Sequence, residues 1–135
     1  MKKRNLKLVA IALVFAHLII SMIHGRAHQG AMVALTSWQS IYVLVVITVG
    51  PILGAAFLYS RWQRPAALLL AISMFGSLVF GGWYHFLSAT TDNVAAVHGV
   101  WHLTFLWSAI AIAILEAAGL VVGAWIYQAT ASPSR

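Results

Sequence analysis

The sequence predicts an all-α integral membrane protein, a four-helix up-and-down bundle with both termini cytoplasmic. Three observations carry that prediction. Of 135 residues, 62% are hydrophobic and 7% charged, against about 45–50% apolar and about 25% charged in a soluble domain. Eight basic and two acidic side chains are too few to solvate the surface of such a chain, whose mean hydropathy is +0.92. The apolar residues also gather into four runs, each near the about 20 residues that cross a bilayer core about 30 Å thick. They form one domain over 1–135, with spans at about 6–27, 40–60, 65–87 and 98–127.

The first span follows Lys2, Lys3, Arg4 and Lys7 and runs to the histidines near its far end. Its basic start and Ala27 also fit a cleaved secretory signal, which would leave three helices in the same orientation. The apolar run is long for a signal, and the sequence is read as a span. In the second span Pro51 follows Gly50 at mid-length. A proline there removes a backbone donor and crowds the preceding turn, so a kink or local loosening is expected. Gly50 and Gly54, like Gly119 and Gly123 in the fourth span, have the small-xxx-small spacing that lets helix backbones approach closely. Arg61 and Arg64 fill the second connection, and Pro65 suits the first turn of the third helix.

Orientation follows from the basic residues. Lys2, Lys3, Arg4, Lys7, Arg61, Arg64 and Arg135 fall on one side of an even number of spans, and Arg26 stands alone on the other. The positive-inside rule puts the richer side in the cytoplasm, as in a bacterial inner or plasma membrane. Trp38, Tyr42, Trp83, Tyr84 and Trp101 lie near the outer boundary and Tyr59, Trp62, Trp125 and Tyr127 near the inner one. Trp107 lies deeper, where packing between helices is expected. The net charge of +6 sits at chain ends and in a connection, not on a groove-reading face, which argues against nucleic acid as a partner. The absence of cysteine excludes thiolate metal sites and iron–sulfur clusters. Lipid is the expected partner, with a homo-oligomer or a larger membrane complex as further possibilities.

The histidines carry the chemistry. Five of six, namely His24, His28, His85, His98 and His102, fall near the outer ends of three spans. At about 100° per residue, His17, His24 and His28 lie within about 40° of one another around the first helix. His98 and His102 are spaced one turn apart, as in pairs that offer two imidazoles to one ion. Imidazole donors suit copper, zinc or iron. His24, His85 and His102 are therefore the leading candidate ligands, with His28 and His98 supplementary. Asp92 is the one carboxylate in the outer connection, and Met22 and Met32 offer soft sulfur to cuprous copper. Deeper in the bilayer, His17 and Glu116 lie within about 5 Å of mid-depth by helix rise. They are a candidate proton relay or a structural pair, because a carboxyl at that depth needs a proton or a partner.

Three functions fit these residues. The first is a histidine-rich transition-metal site at the external face, serving redox chemistry or metal handling. The second is a b-type haem cytochrome for electron transfer, clamped by two of His24, His85 and His102 from facing helices. The third is a non-catalytic subunit or assembly factor of a larger membrane complex. Nothing in the sequence forms a nucleophile–base pair or a nucleotide-binding motif, so enzymatic activity stays open.

Overall fold

The computed structural model describes residues 3–131. Lys2 and Arg135, counted above for orientation, lie outside the described residues. Among those described, the chain is helical without strands, and four helices are long and apolar enough to cross a membrane. They are α1 (Lys3–Gly30), α2 (Ser37–Tyr59), α3 (Gln63–Leu87) and α4 (Gly99–Ala131). Leu6 at the start of α1 packs with Leu58 at the end of α2, Ala66 at the start of α3 and Ile126 near the end of α4. The helices therefore alternate in direction, and Leu6 and Ile126 lie at the same end of the bundle. Around the ring, α1 packs on α4, α4 on α3 and α3 on α2. The ring closes where α1 meets the Gly50–Ala56 segment of α2.

The two ends of the bundle are built differently. Near the termini the core is apolar and tight, with Leu6, Ala10, Val14, Leu58, Leu70 and Met74 buried together. At the opposite end only Ala27, Val33, Val97 and Phe105 form an apolar cluster, and histidines occupy the remaining interior. Phe15, Leu44, Ile72, Phe75, Ile114 and Val121 face outward, as lipid-facing positions of an apolar bundle do. Trp107 belongs with them. It is 63% exposed, so the interhelical packing expected for it does not form. Ser108 and Phe105 hold the inward face of that turn instead.

The loosening expected at Pro51 extends over two turns. Residues Val43–Val49 form a π-helix, and the Gly50 amide reaches back to the carbonyl of Val45. Thr48 Oγ1 also donates to the Val43 carbonyl, 3.0 Å away and five residues back. Widening the helix before proline relieves the clash of its ring with the preceding turn. A second π-helix, Trp83–Leu87, ends α3 and carries His85. In α4 the regular helix starts later than the sequence suggested. His98 is extended, Gly99 has φ +79°, and Gly99–Trp101 form one 3₁₀ turn before the α-helix starts at His102. The positive φ, natural for glycine, breaks the helical register between His98 and His102, so the two do not form a helical pair.

Both small-xxx-small pairs lie against α3. A side chain at Gly54 would meet the Leu70 backbone nitrogen at 2.9 Å, and one at Gly123 the Ala71 nitrogen at 2.9 Å. Leucine at either position is expected to cost about 1–3 kcal/mol or more through overpacking, read as a lower thermal midpoint in mild detergent. Gly82→Ala, where nothing lies within 4 Å of the added carbon, is expected to leave the midpoint unchanged or raise it. Equal losses in all three variants would show that backbone approach does not set bundle stability.

Candidate metal centre

The site grows from one face of α1. His17, Ser21, His24 and His28 follow one another at one-turn intervals on the side turned toward the bundle interior, and all three imidazoles are buried. The π-helical end of α3 brings His85 against this face. His24 Nε2 lies 3.1 Å from His85 Nε2 and 3.2 Å from His28 Nε2. The three residues form a cluster able to hold a metal ion.

The opposite edge of each ring explains which nitrogens are available. His85 Nδ1 lies 3.1 Å from the Asp92 carbonyl, and His28 Nδ1 lies 3.3 Å from the Val33 carbonyl. A carbonyl can only accept, so each of these Nδ1 atoms carries the proton. His24 Nδ1 lies 2.8 Å from Ser108 Oγ, whose own hydrogen can be directed to the Thr104 or Phe105 carbonyl. With the Ser108 hydrogen on either carbonyl, Nδ1–H of His24 donates to the hydroxyl oxygen; with that hydrogen turned to Nδ1, His24 carries its own proton on Nε2, inside the cluster. In the first arrangement all three protons sit on Nδ1, the Nε2 lone pairs of His28 and His85 both face that of His24, and no neutral hydrogen bond joins them. A shared proton or a metal cation resolves the repulsion. Imidazole nitrogens about 2.0–2.1 Å from a tetrahedral centre stand about 3.3–3.4 Å apart, close to the separations present here. Fixing the tautomer through Nδ1 is also how proteins orient metal-binding histidines.

Phe105 packs against all three rings, with centroids 4.7 Å from His24, 4.8 Å from His28 and 5.5 Å from His85. The α3–α4 connection folds over the cluster, pinned by the Val94 amide on the His85 carbonyl at 2.9 Å and by Asn93 Nδ2 on the Ser88 carbonyl at 2.8 Å. It delivers Asp92, 4% exposed, with Oδ1 3.1 Å from His85 Nδ1 and 3.4 Å from His28 Nε2. Burial pushes the Asp92 carboxyl upward, but His85, then His28 and His24, outweigh it and hold the group below the usual carboxylate range.

The other candidate residues take different places. His102 is half-buried on the first turn of α4, with Nδ1 2.7 Å from the Val97 carbonyl, and stands apart from the three-histidine cluster. His98 is exposed in the connection. Met22 is exposed on the outer face of α1, and Met32 borders the adjoining cavity without joining the cluster. His17 and Glu116 meet: Nε2 and Oε1 are 3.3 Å apart, with the residues 0% and 1% exposed. Among the described residues, His17 Nδ1 and Glu116 Oε2 have no hydrogen-bond partner. Ser108 and Phe105 were not singled out from the sequence. The signal for Ser108 was a hydroxyl two turns into the fourth span, and only the tertiary fold places it beside His24.

Comparison with protein-family models, with characterised proteins and with solved structures gives no match, so the centre is read from its own geometry.

The Asp92 carboxylate sets an expected pH dependence. Its folded-state pKa lies below its unfolded value, so its stabilisation is complete above about pH 3.9 and is lost as pH falls through the folded value. The gap in thermal midpoint between wild type and Asp92→Asn, measured on chelator-treated protein, is expected to be present at neutral pH and to close in strong acid. A gap that widens on acidification would remove the carboxylate from the cluster's charge balance.

Proposed function

We propose that the protein holds a transition-metal ion at His24, His28 and His85, beneath the outer surface of a bacterial inner or plasma membrane. The observation that carries this reading is the gathering of His24, His28 and His85, with two Nε2–Nε2 separations of 3.1 and 3.2 Å and each Nδ1 beside an oxygen that orients its ring. His102 and His98 stand outside the proposed ligand set, because neither ring borders the cluster. Asp92 lies alongside as a counter-charge. Nitrogen donors favour copper, with zinc and iron as the other candidates. The ion supplies Lewis acidity and, for copper or iron, one-electron exchange, which suits redox chemistry or metal handling.

The protein's own side chains prepare the centre. Ser108 and the Val33 and Asp92 carbonyls aim the rings, and Phe105 fixes their spacing and keeps one wall dry. His17 and Glu116 hold a proton between Nε2 and Oε1 near mid-depth, a reservoir below the ion. A b-type haem is the weaker reading. Imidazoles on opposite faces of a porphyrin iron stand about 4 Å apart, nitrogen to nitrogen, wider than the 3.1 Å between His24 and His85. The third imidazole also has no role in a bis-histidine haem.

Elemental analysis and a visible spectrum of protein purified in mild detergent test the proposal. One ion per chain without a Soret band is expected, and a Soret band or a colourless, metal-free protein that takes up neither zinc nor copper overturns it. His24→Ala and His85→Ala are expected to lose most of the metal while keeping helical circular dichroism, and His98→Ala to retain it. Ser108→Ala is expected to weaken metal binding by about 10–100-fold, by freeing the His24 ring to turn. Protons compete for the same nitrogens, so affinity is expected to fall as pH drops below about 6.5, the ordinary histidine value.

A further inference from the structure

Next to the three histidines lies a cavity of about 510 Å³, within the about 300–1,000 Å³ range of small-molecule sites. It runs from the α1–α2 connection down to Glu116, among all four helices. Its walls are apolar, formed by Val43, Ile47, Phe80 and Ile112. Two features of the fold create it. The π-helical stretch of α2 displaces Val43 and Ile47 from the regular helical path. In addition, α1 meets α2 chiefly through Gly50–Ala56, so the two helices stand apart above that segment. Gly25, exposed on α1, borders this gap and has nothing within 4 Å of where a side chain would begin.

The deep end of the cavity is polar and unsatisfied. Glu116 lines it at 1% exposure, and among the described residues neither its Oε2 nor Ser21 Oγ, also lining the cavity, has a hydrogen-bond partner. In hydrocarbon an orphaned carboxyl oxygen is costly. Gly81 keeps the space open: a side chain there would lie 3.7 Å from the His85 ring and 3.9 Å from Glu116 Oε2. The carboxyl and the candidate metal centre thus line one common cavity.

We infer that this cavity binds an uncharged, lipid-soluble phenol or hydroquinone. The ligand slips in sideways between α1 and α2, its hydroxyl donating to Glu116 Oε2 and its hydrocarbon tail lying along Val43 and Ile47. An anion is disfavoured by the Glu116 carboxyl. A cation is disfavoured by the ion held at the other end, and water alone does not match the apolar walls. The assignment deepens the metal-centre reading by naming its substrate class and rests on that reading for the chemistry, but not for the binding.

Native mass spectrometry of the full chain in mild detergent, with and without zinc, tests it with decyl hydroquinone and its dimethyl ether as probes. One decyl hydroquinone per chain is expected, bound about three- to tenfold more tightly than the ether, the effect of losing one hydrogen bond. Glu116→Leu is expected to abolish that preference. Gly25→Phe, which has open space to fill, and Ile47→Trp are expected to weaken binding of both probes while leaving zinc uptake intact. Equal affinity for hydroquinone and ether would mark a tail-filled crevice, and undiminished binding in both plugged variants would place the ligand elsewhere; either overturns the inference. Zinc uptake without saturable hydroquinone binding defeats this inference and spares the metal centre. Hydroquinone binding by protein that takes up no metal does the reverse.

Discussion

The outer half of the bundle is organised by a conflict between lone pairs. His28 and His85 use Nδ1 to donate to backbone carbonyls, and when the Ser108 hydrogen is held by a carbonyl His24 donates to Ser108 in the same way. This turns the Nε2 atoms of His28 and His85 toward that of His24 at 3.2 and 3.1 Å. Neutral imidazoles do not hold that arrangement unaided, because the repulsion among lone pairs grows in a medium that screens charge poorly. The surrounding structure imposes it. Ser108 is locked by its own carbonyls, Asp92 is carried in on a cross-linked connection, and Phe105 occupies the space into which the rings would otherwise turn. A cation relieves the conflict without any of these groups moving, as preorganised metal sites require.

Much of this was legible in the sequence. Apolar run lengths placed four helices, because a bilayer imposes one length scale on every span. The periodicity of α1 brought His17, His24 and His28 to one face, because a regular helix carries angular information over many residues. Legibility failed where the helix stopped being regular. His98 and His102 are spaced as a helical pair, yet Gly99 interrupts the helix between them, and a glycine at that position carries no mark of the sign of its φ. The orientation of His28 depends on Val33, five residues further along and just past the end of α1, where no periodicity applies. Trp107 was misplaced for a related reason. In an all-apolar span the inward and outward faces have similar composition, so hydrophobicity alone does not orient the helix.

The contrast between the two ends of the bundle gives the molecule a division of labour. Toward the termini, glycines at 54, 119 and 123 let α2 and α4 sit directly on the backbone and side chains of α3, and the interior there is filled. That end supplies rigidity. Toward the connections, two π-helical segments and the separation of α1 from α2 leave volume in place of contacts. Such widened turns concentrate at functional sites because they trade regular packing for room. Hollow and filled halves share the same four helices, so loosening at one end is held in check by close contact at the other.

The placement of the His17–Glu116 pair has an electrical consequence. Seven residues of α1 separate His17 from His24, a rise of about 10 Å, or about one-third of the hydrocarbon thickness. A unit charge crossing the whole membrane works against about 2.3 kcal/mol per 100 mV. Any proton exchanged between the buried carboxyl and the histidine cluster therefore moves through a sizeable fraction of the transmembrane voltage. Under the proposed function, the protonation state of this polar column would depend on the voltage across the membrane.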